Sequence, residues 1–303
     1  MPSPSQRLLI AADVDGTLLS TETDDRLRPR EIAALEAVRA AGHTVALCTG
    51  RNRQSLEAML DRSGWHPADL PKVMLNGAMV DGGAGVGVLA HHELPRDVVA
   101  RLVRLFRAHG AVPMVYAGDG DGGTLLHERG EINPVLARYL DHRRERVGAI
   151  TDVDDLTGHL PPTSLEVGTI DLEAVIAPLT AAVRADLGDA VRVINTRSLL
   201  GGGRYFWAEV YHRACSKGTG VRLLAGRFGF AAGDIVAVGD NYNDVDMFAE
   251  AALSVAVAGG PEDVQAAADM VVGAVADSGV ADLLERIAAG AVTPPAGHRE
   301  EST

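Results

Sequence analysis

The chain has 303 residues, of which 47% are hydrophobic and 4% aromatic, and its formal net charge is −13. This composition supplies enough apolar material for one large or two ordinary globular domains. The acidic balance argues against a general nucleic-acid-binding protein, which needs a basic face, and against attraction to an anionic membrane surface.

The cysteines and the apolar runs exclude further classes of protein. Cys48 and Cys215 form neither a disulfide framework nor the Cys/His spacing of a zinc site. The apolar run after the first seven residues is too short for a signal peptide, and no run approaches the length of a membrane span. We therefore expect a cytoplasmic protein, and the sequence does not indicate its oligomeric state.

The first predicted strand ends on two carboxylates. The short apolar run at residues 8–12 is typical of a buried strand in a parallel sheet. Asp13 and Asp15 follow it, and ligands in open α/β sheets bind at this end of the strands. Carboxylates this close repel each other, and a divalent cation would relieve the repulsion. An acidic turn with Thr17 as a helix N-cap is the alternative interpretation.

The second predicted strand, residues 44–48, ends on Thr49 and Gly50. A helix from Pro29 to Gly42 precedes it, and a strand–helix–strand unit of this length is a right-handed crossover in a parallel sheet. The Thr49 hydroxyl and the Gly50 N–H could bind a phosphate at the start of the next helix. An ordinary N-cap at Thr49 or Asn52 would also explain the pattern.

The third predicted strand, residues 72–75, ends on Asn76, where a plain Asn-Gly turn is the alternative to a functional role. Glycines then interrupt the pattern, and a region of mixed helices and strands follows. Its helices are predicted at residues 97–109, 133–146 and 171–186, and its strands at 112–116, 124–127, 164–170 and 191–195. Asp119 and Asp121 lack the later ligands of an EF-hand, so we predict a hairpin turn there. Residues 206–210 are predicted as the strand that returns from this region.

Lys217 begins the next predicted helix. A lysine at a helix start opposes the helix dipole, so a carboxylate cluster or a bound phosphate nearby would explain its position. A solvated lysine at a helix end is the common alternative.

The strand predicted at residues 234–238 leads to Asp240, Asn243 and Asp244. Carboxylates at the carboxyl end of a strand suit Mg²⁺, which takes oxygen ligands. Acidic residues that favour a helix N-terminus would explain Asp244, but they explain Asp240 poorly because it precedes the turn. Alternating strands and helices continue to residue 289, and residues 290–303 are predicted to be a mobile tail.

Four motifs resemble those of the haloacid dehalogenase (HAD) superfamily, in the same order. They are Asp-Val-Asp-Gly-Thr-Leu at 13–18, Thr-Gly-Arg at 49–51, Ser-Lys-Gly at 216–218 and Gly-Asp-Asn-Tyr-Asn-Asp at 239–244. Thr-Gly-Arg, together with Asn-Gly-Ala at 76–78, is similar to the Cof-type or class IIB branch. The resemblance implies an α/β fold: a Rossmann-like, doubly wound parallel sheet with an inserted α+β cap domain of the C2B type. The catalytic core would comprise residues 1–82 and 206–303, and the cap residues 83–205.

The resemblance also implies an enzyme, a Mg²⁺-dependent phosphatase that hydrolyses a small phosphomonoester, such as a sugar phosphate, through an aspartyl-phosphate. Asp13 would be the nucleophile and Asp15 the general acid and base. The metal ligands would be Asp13, Asp15 and Asp240. Phosphate binding would fall to Thr49, Gly50, Lys217 and Asn243, with Asp244 and Asn76 in support.

Two other functions stay open at this point. A phosphomannomutase-like enzyme of the same cap class would transfer the phosphoryl group to a second alcohol. A non-catalytic sensor of sugar phosphates could keep the fold without the reaction. Dehalogenases are disfavoured because they lack the second carboxylate, here Asp15. The expected partner is a small phosphorylated molecule, and the sequence of the cap does not identify it.

Overall fold

The computed structural model describes residues 6–20, 25–118, 124–148 and 150–295. The chain divides into two compact units, one of residues 1–49, 59–89 and 216–303, the other of residues 50–58 and 90–215. Within the described ranges, no helix combines the length and the apolar character needed to cross a bilayer. The predicted turn at Asp119 and Asp121 and the last eight residues of the predicted tail lie outside these ranges.

The described ranges contain strands and helices in alternation along most of the chain. The strands are β1 (Leu9–Asp13), β2 (Thr44–Cys48), β3 (Lys72–Met74), β4 (Met79–Asp81), β5 (Val88–His91), β6 (Leu94–Pro95), β7 (Met114–Ala117), β8 (Leu125–Glu128), β9 (Ile150–Val153), β10 (Thr163–Leu172), β11 (Val191–Arg197), β12 (Tyr205–His212), β13 (Ile235–Gly239), β14 (Leu253–Val257) and β15 (Met270–Val272). The α-helices are α1 (Pro29–Ala40), α2 (Arg53–Ser63), α3 (Arg96–Ala108), α4 (Pro134–Arg146), α5 (Glu173–Leu187), α6 (Lys217–Phe228), α7 (Val245–Phe248), α8 (Glu262–Ala266) and α9 (Gly279–Ala288).

The first unit is built on an eight-stranded sheet in the order β15-β14-β13-β1-β2-β3-β4-β5. Strands β15 to β3 are parallel, and β4 runs antiparallel to β3. Every residue of β1 is buried, which explains its small and aliphatic sequence. Because β1 lies between β2 and β13, strand order reverses at β1. The carboxyl ends of these three strands therefore meet at a switch point, the position where open α/β sheets bind ligands.

The second unit contains a sheet in the order β11-β12-β10-β7-β8-β9, with β6 paired to β10. Its pairs are antiparallel except β8 with β9. Successive side chains of its strands face opposite sides of the sheet. On one side they pack with α3 and α5 in one apolar cluster, and on the other side they pack with α4 in a second cluster. Val167 and Val210 belong to the first cluster, whereas Ile170 belongs to the second.

The structure differs from the predicted elements in several places, and β4, β5, β6 and β9 were not predicted. Residues 206–210 do not return the chain to the first sheet, because β12 lies between β10 and β11 in the second one. The third strand ends at Met74 and not at residue 75, since Leu75 and Asn76 adopt positive φ angles of 48° and 49°. The α/β fold class is confirmed, whereas the assignment of the two units to catalytic core and cap stays a prediction.

Candidate active site

A buried lysine joins two carboxylates at the carboxyl end of the first sheet. The Lys217 Nζ donates hydrogen bonds to Asp13 Oδ1 at 2.5 Å and to Asp244 Oδ1 at 2.7 Å. Asp13 is the last residue of β1, and Lys217 is the first residue of α6. Asp240, which directly follows β13, is also buried. We call Asp13, Lys217, Asp240 and Asp244 the carboxylate–lysine centre.

The start of α6 is fixed by a capping box. The Ser216 side chain accepts a hydrogen bond from the Thr219 N–H at 3.0 Å, and the Thr219 Oγ1 accepts one from the Ser216 N–H at 3.0 Å. A Cβ on Gly218 would lie 2.3 Å from the Asp246 carbonyl oxygen, so only glycine fits there. The cap and this close approach hold Lys217 against its carboxylates, which offset the unfavourable helix dipole.

Asp244 has a second role in its own loop. Its Oδ2 accepts hydrogen bonds from the backbone N–H groups of Asp240 and Asn241, both at 2.9 Å. The Asp244 side chain, with 0% exposure, therefore closes the loop after β13 and orients Lys217 at the same time.

The loop after β1 approaches Asp240 closely. The Thr17 hydroxyl donates to Asp240 Oδ1 at 2.9 Å. Gly16 has a φ of +89°, and a Cβ there would lie 2.4 Å from Asp240 Oδ2. Asp15 lies between Asp13 and this glycine, is partly buried, and forms a backbone bridge with Leu19. The loop therefore brings both predicted carboxylates of the first motif to the same strand end.

Thr49, Asn76 and Asn243 lie at the neighbouring strand ends. The Thr49 carbonyl oxygen accepts a hydrogen bond from the Asn76 N–H at 3.1 Å, and Thr49 is fully buried. The Asn243 Nδ2 donates to Asn76 Oδ1 at 2.9 Å. Asn76 tolerates its left-handed backbone conformation because asparagine is one of the few residues that does so readily. The alternative interpretation, a plain Asn-Gly turn at Asn76, therefore does not explain the hydrogen bond between the side chains of Asn76 and Asn243.

Asn52, and not Thr49, caps α2. The Asn52 Oδ1 accepts a hydrogen bond from the Ser55 N–H at 3.0 Å. The predicted alternative role of Thr49 as an N-cap is therefore wrong. Gly50 follows Thr49 directly, is partly buried, and belongs to the second unit.

Burial and mutual repulsion dominate the electrostatics of the carboxylate–lysine centre. Burial raises the pKa of Asp13 to about 7 against the lowering effect of Lys217. Burial, with the neighbouring charges of Asp13 and Asp244, holds the pKa of Asp240 well above its usual range. Burial lowers the pKa of Lys217, but the two carboxylates that it contacts outweigh this and raise that pKa above its ordinary value. Three carboxylates against one ammonium group leave an excess of negative charge that a cation would offset.

The donor set fits Mg²⁺. One carboxylate oxygen from each of Asp13, Asp240 and Asp244 lies within 4.8 Å of the other two. Hard oxygen donors are the ligands that Mg²⁺ prefers. Both Asp244 oxygens accept hydrogen bonds from Lys217 or from backbone N–H groups. Asp13 and Asp240 are therefore the better ligands, and Asp244 is better suited to orienting Lys217.

The hydrogen bond from Thr17 to Asp240 was not predicted, because Thr17 was considered only as a helix N-cap. The sequence also contained a further signal for the role of Lys217. Lys217 is one of only two lysines in a chain with 28 basic residues, so its use in place of arginine is itself informative.

The chain is an α/β protein whose carboxylate–lysine centre lies at the switch point of a parallel sheet. A centre of this kind is suited to binding an anion or a metal ion. The model of the haloacid dehalogenase-like hydrolase family matches residues 10–284, and the chain belongs to this family. The family predicted from the four motifs is therefore confirmed.

Curated relatives are similar over most of this chain. A chloroplastic endoribonuclease YBEY of Arabidopsis thaliana is 27% identical over 287 residues, 92% of this chain, which spans only 46% of that relative's length. The 5-amino-6-(5-phospho-D-ribitylamino)uracil phosphatase YbjI of Escherichia coli is 24% identical, with 92% of this chain and 95% of the relative covered. The pyridoxal phosphate phosphatase YbhA of Escherichia coli is 23% identical, with 88% and 93% covered.

Solved structures share the fold. The sugar phosphatase BT4131, described as a member of HAD subclass IIB, has a TM-score of 0.72 to this chain and 21% sequence identity. The match covers 94% of this chain and 100% of that structure. This likeness shows that the chain shares the fold of that structure.

Proposed function

We propose that the chain is a Mg²⁺-dependent phosphatase that hydrolyses a small phosphorylated metabolite through an aspartyl-phosphate on Asp13. The observation that carries the proposal is the double hydrogen bond of buried Lys217 to Asp13 and Asp244, beside Asp240. Two of the relatives that this chain matches along almost their whole length are phosphatases of small phosphorylated molecules. They support hydrolysis of a phosphomonoester, with a sugar phosphate as the proposed substrate class.

The first half of the reaction forms the covalent intermediate. A carboxylate oxygen of Asp13 attacks phosphorus, and the bond between phosphorus and the leaving alcohol oxygen breaks. Asp15 donates its proton to that oxygen. Lys217 offsets negative charge beside Asp13 and, with its second bond to Asp244, fixes the orientation of the nucleophile.

The second half of the reaction releases phosphate. Asp15, now ionised, takes a proton from water, the water oxygen attacks phosphorus, and the bond to Asp13 breaks. A Mg²⁺ ion held by Asp13, Asp240 and the backbone carbonyl of Asp15 would supply neutralisation of charge on the phosphoryl oxygens. The proposed contacts to those oxygens are Thr49, Gly50, Lys217 and Asn243.

We propose that the first unit carries the chemistry and that the second selects the substrate. This changes the boundaries of the proposed cap from residues 83–205 to residues 90–215, since β12 belongs to the second sheet. A cytoplasmic location stays a prediction.

The test is phosphate release from a panel of phosphorylated metabolites and para-nitrophenyl phosphate, with and without Mg²⁺. We expect Mg²⁺-dependent release by the wild type and a loss of roughly 10³-fold or more for Asp13→Asn. The exposed Asp97→Asn, with the same change of charge, serves as the control and keeps wild-type turnover.

Other outcomes distinguish the alternative functions. Transfer of the phosphoryl group to an added sugar phosphate, in preference to water, would identify a mutase. No release from any compound, with ligand binding retained by Asp13→Asn, would identify a sensor and contradict the proposal.

A further inference from the structure

A cleft with three arginines lies in the second unit. Its volume is about 830 Å³, and its charged lining residues are Arg184, Asp189, Arg192 and Arg213. It is an open surface cleft whose four charged residues are exposed, with room for a metabolite-sized ligand. None of these residues belongs to the carboxylate–lysine centre, whose members all lie in the first unit.

Three regular elements bring the arginines together. Arg184 lies in the last turn of α5, which ends at Leu187. Arg192 lies on β11, the edge strand that follows, and Arg213 directly follows β12. Strands β11 and β12 are paired along their length, so the positions of Arg192 and Arg213 are fixed by the sheet. The arrangement therefore depends on the scaffold of the unit and not on a long loop.

The charges in the cleft are poorly balanced. Among the described residues, the side chains of Arg184 and Arg213 form no ion pair and no hydrogen bond. Other arginines of this unit are paired, such as Arg101 with Asp186 and Arg107 with Asp155. The C-terminal dipole of α5 favours Arg184 alone. Beside the single carboxylate of Asp189, the guanidinium groups of Arg184 and Arg213 leave a local positive excess in a chain whose net charge is −13.

We propose that this arginine cleft binds a small polyanion with at least two phosphate or carboxylate groups. Guanidinium groups bind both anions through paired N–H donors, and several converging guanidiniums favour multiply charged ligands. The site needs neither the metal nor the chemistry of the carboxylate–lysine centre, so the proposal stands independently of the proposed function.

The test is isothermal titration of the full chain with inorganic pyrophosphate and, separately, with citrate, at low ionic strength in the presence of EDTA. We expect binding by the wild type and an affinity at least tenfold weaker for the double variant Arg184→Gln/Arg213→Gln. The matched control Arg104→Gln/Arg227→Gln makes the same change of charge at exposed positions outside the cleft. Its affinity is expected to stay within twofold of the wild type.

The two ligands distinguish recognition of phosphate from recognition of negative charge alone. Binding of both anions supports recognition of charge alone, and binding of pyrophosphate only supports recognition of phosphate. The far-ultraviolet circular dichroism of the double variant should match that of the wild type, which shows that it folds. Absence of binding to the wild type would overturn the proposal. Equal affinities of the wild type and the double variant would do the same, as would binding that is lost only in Lys217→Met.

Discussion

Lys217 has only 1% exposure, yet its ammonium group donates hydrogen bonds to two carboxylates. Desolvation of a charge is costly, and it is offset here by two short hydrogen bonds to carboxylates. The bond to Asp13 joins residues 204 positions apart, and the bond to Asp244 joins residues 27 positions apart. Lys217 therefore connects the first strand with the fourth motif. The side chain therefore supports the structure of the proposed active site as well as its chemistry.

We predict that Lys217→Met lowers the free energy of unfolding by about 3 kcal/mol or more, because it leaves three buried carboxylates without their cation. Urea unfolding at neutral pH measures the change. Arg222→Met provides the control on the same helix, since it removes an exposed ion pair with Glu250 and should cost less than about 1 kcal/mol. Similar losses for both variants would contradict the structural role of the lysine.

Gly16 and Gly42 share a left-handed backbone but differ in their surroundings. Their φ angles are +89° and +91°, and only at Gly16 would a Cβ meet another group, the Asp240 carboxylate. We predict that Gly42→Ala costs about 1 kcal/mol for backbone strain alone. Gly16→Ala should cost roughly 1–3 kcal/mol more and lower kcat at least tenfold, because Asp240 must move. Urea unfolding and phosphate release measure both, and equal effects would show that Asp240 accommodates the methyl group.

At the scale of elements, periodicity predicted most helices and strands of the chain but not the partners of the strands. Residues 206–210 have a strand sequence, and nothing local distinguishes a strand of the second sheet from one of the first. Strand β4 has three residues, and the glycines after it obscured the pattern. Asp13, Thr49 and Asp240 were predictable because each lies at the end of an apolar strand, whereas Lys217 was predictable from its unusual position at the start of a helix. The bond from Thr17 to Asp240 joins residues 223 positions apart, so no local pattern reveals it.

Two glutamates are buried on neighbouring strands of the second sheet. Glu166 lies on β10 and Glu209 on β12, and the Tyr211 hydroxyl lies 3.0 Å and 2.9 Å from their respective carboxylate oxygens. One hydroxyl proton cannot serve two ionised carboxylates at once. Burial first, and then the charge of Glu209, hold the pKa of Glu166 well above its usual range.

This arrangement predicts a pH dependence of stability. The folded state binds the Glu166 proton more tightly than the unfolded state, whose glutamates titrate near pH 4.3, so stability falls as the pH rises from there through the raised pKa. We predict that Glu166→Gln raises the melting temperature by about 2 °C or more at pH 8 and changes it little at pH 4. Calorimetry at both values measures this. The exposed Glu131→Gln should show no such difference between the two pH values, and a destabilised Glu166→Gln at pH 8 would contradict the assignment.

At the scale of the whole molecule, the acidic centre predicts that Mg²⁺ stabilises the fold independently of any reaction. A ligand that binds only the folded state adds about 2.7 kcal/mol at 100 times its dissociation constant. We therefore expect the melting temperature to rise with Mg²⁺ concentration and the rise to disappear in Asp240→Asn. Asp282→Asn, which alters an exposed carboxylate on α9, should keep the full rise. A Mg²⁺ effect unchanged in Asp240→Asn would place the ion elsewhere.

The central strand of the first sheet has consequences for synthesis of the protein. β1 pairs with β2, which is synthesised early, and with β13, so the hydrogen bonds along its second edge wait for residues that the ribosome adds about 220 positions later. Residues 90–215 form one continuous segment and can fold while translation is still in progress. A nascent chain released after Lys217 but before Asp244 would carry Asp13 and Lys217 without the carboxylate of Asp244 that orients the lysine. Termination at that point therefore leaves the carboxylate–lysine centre incomplete.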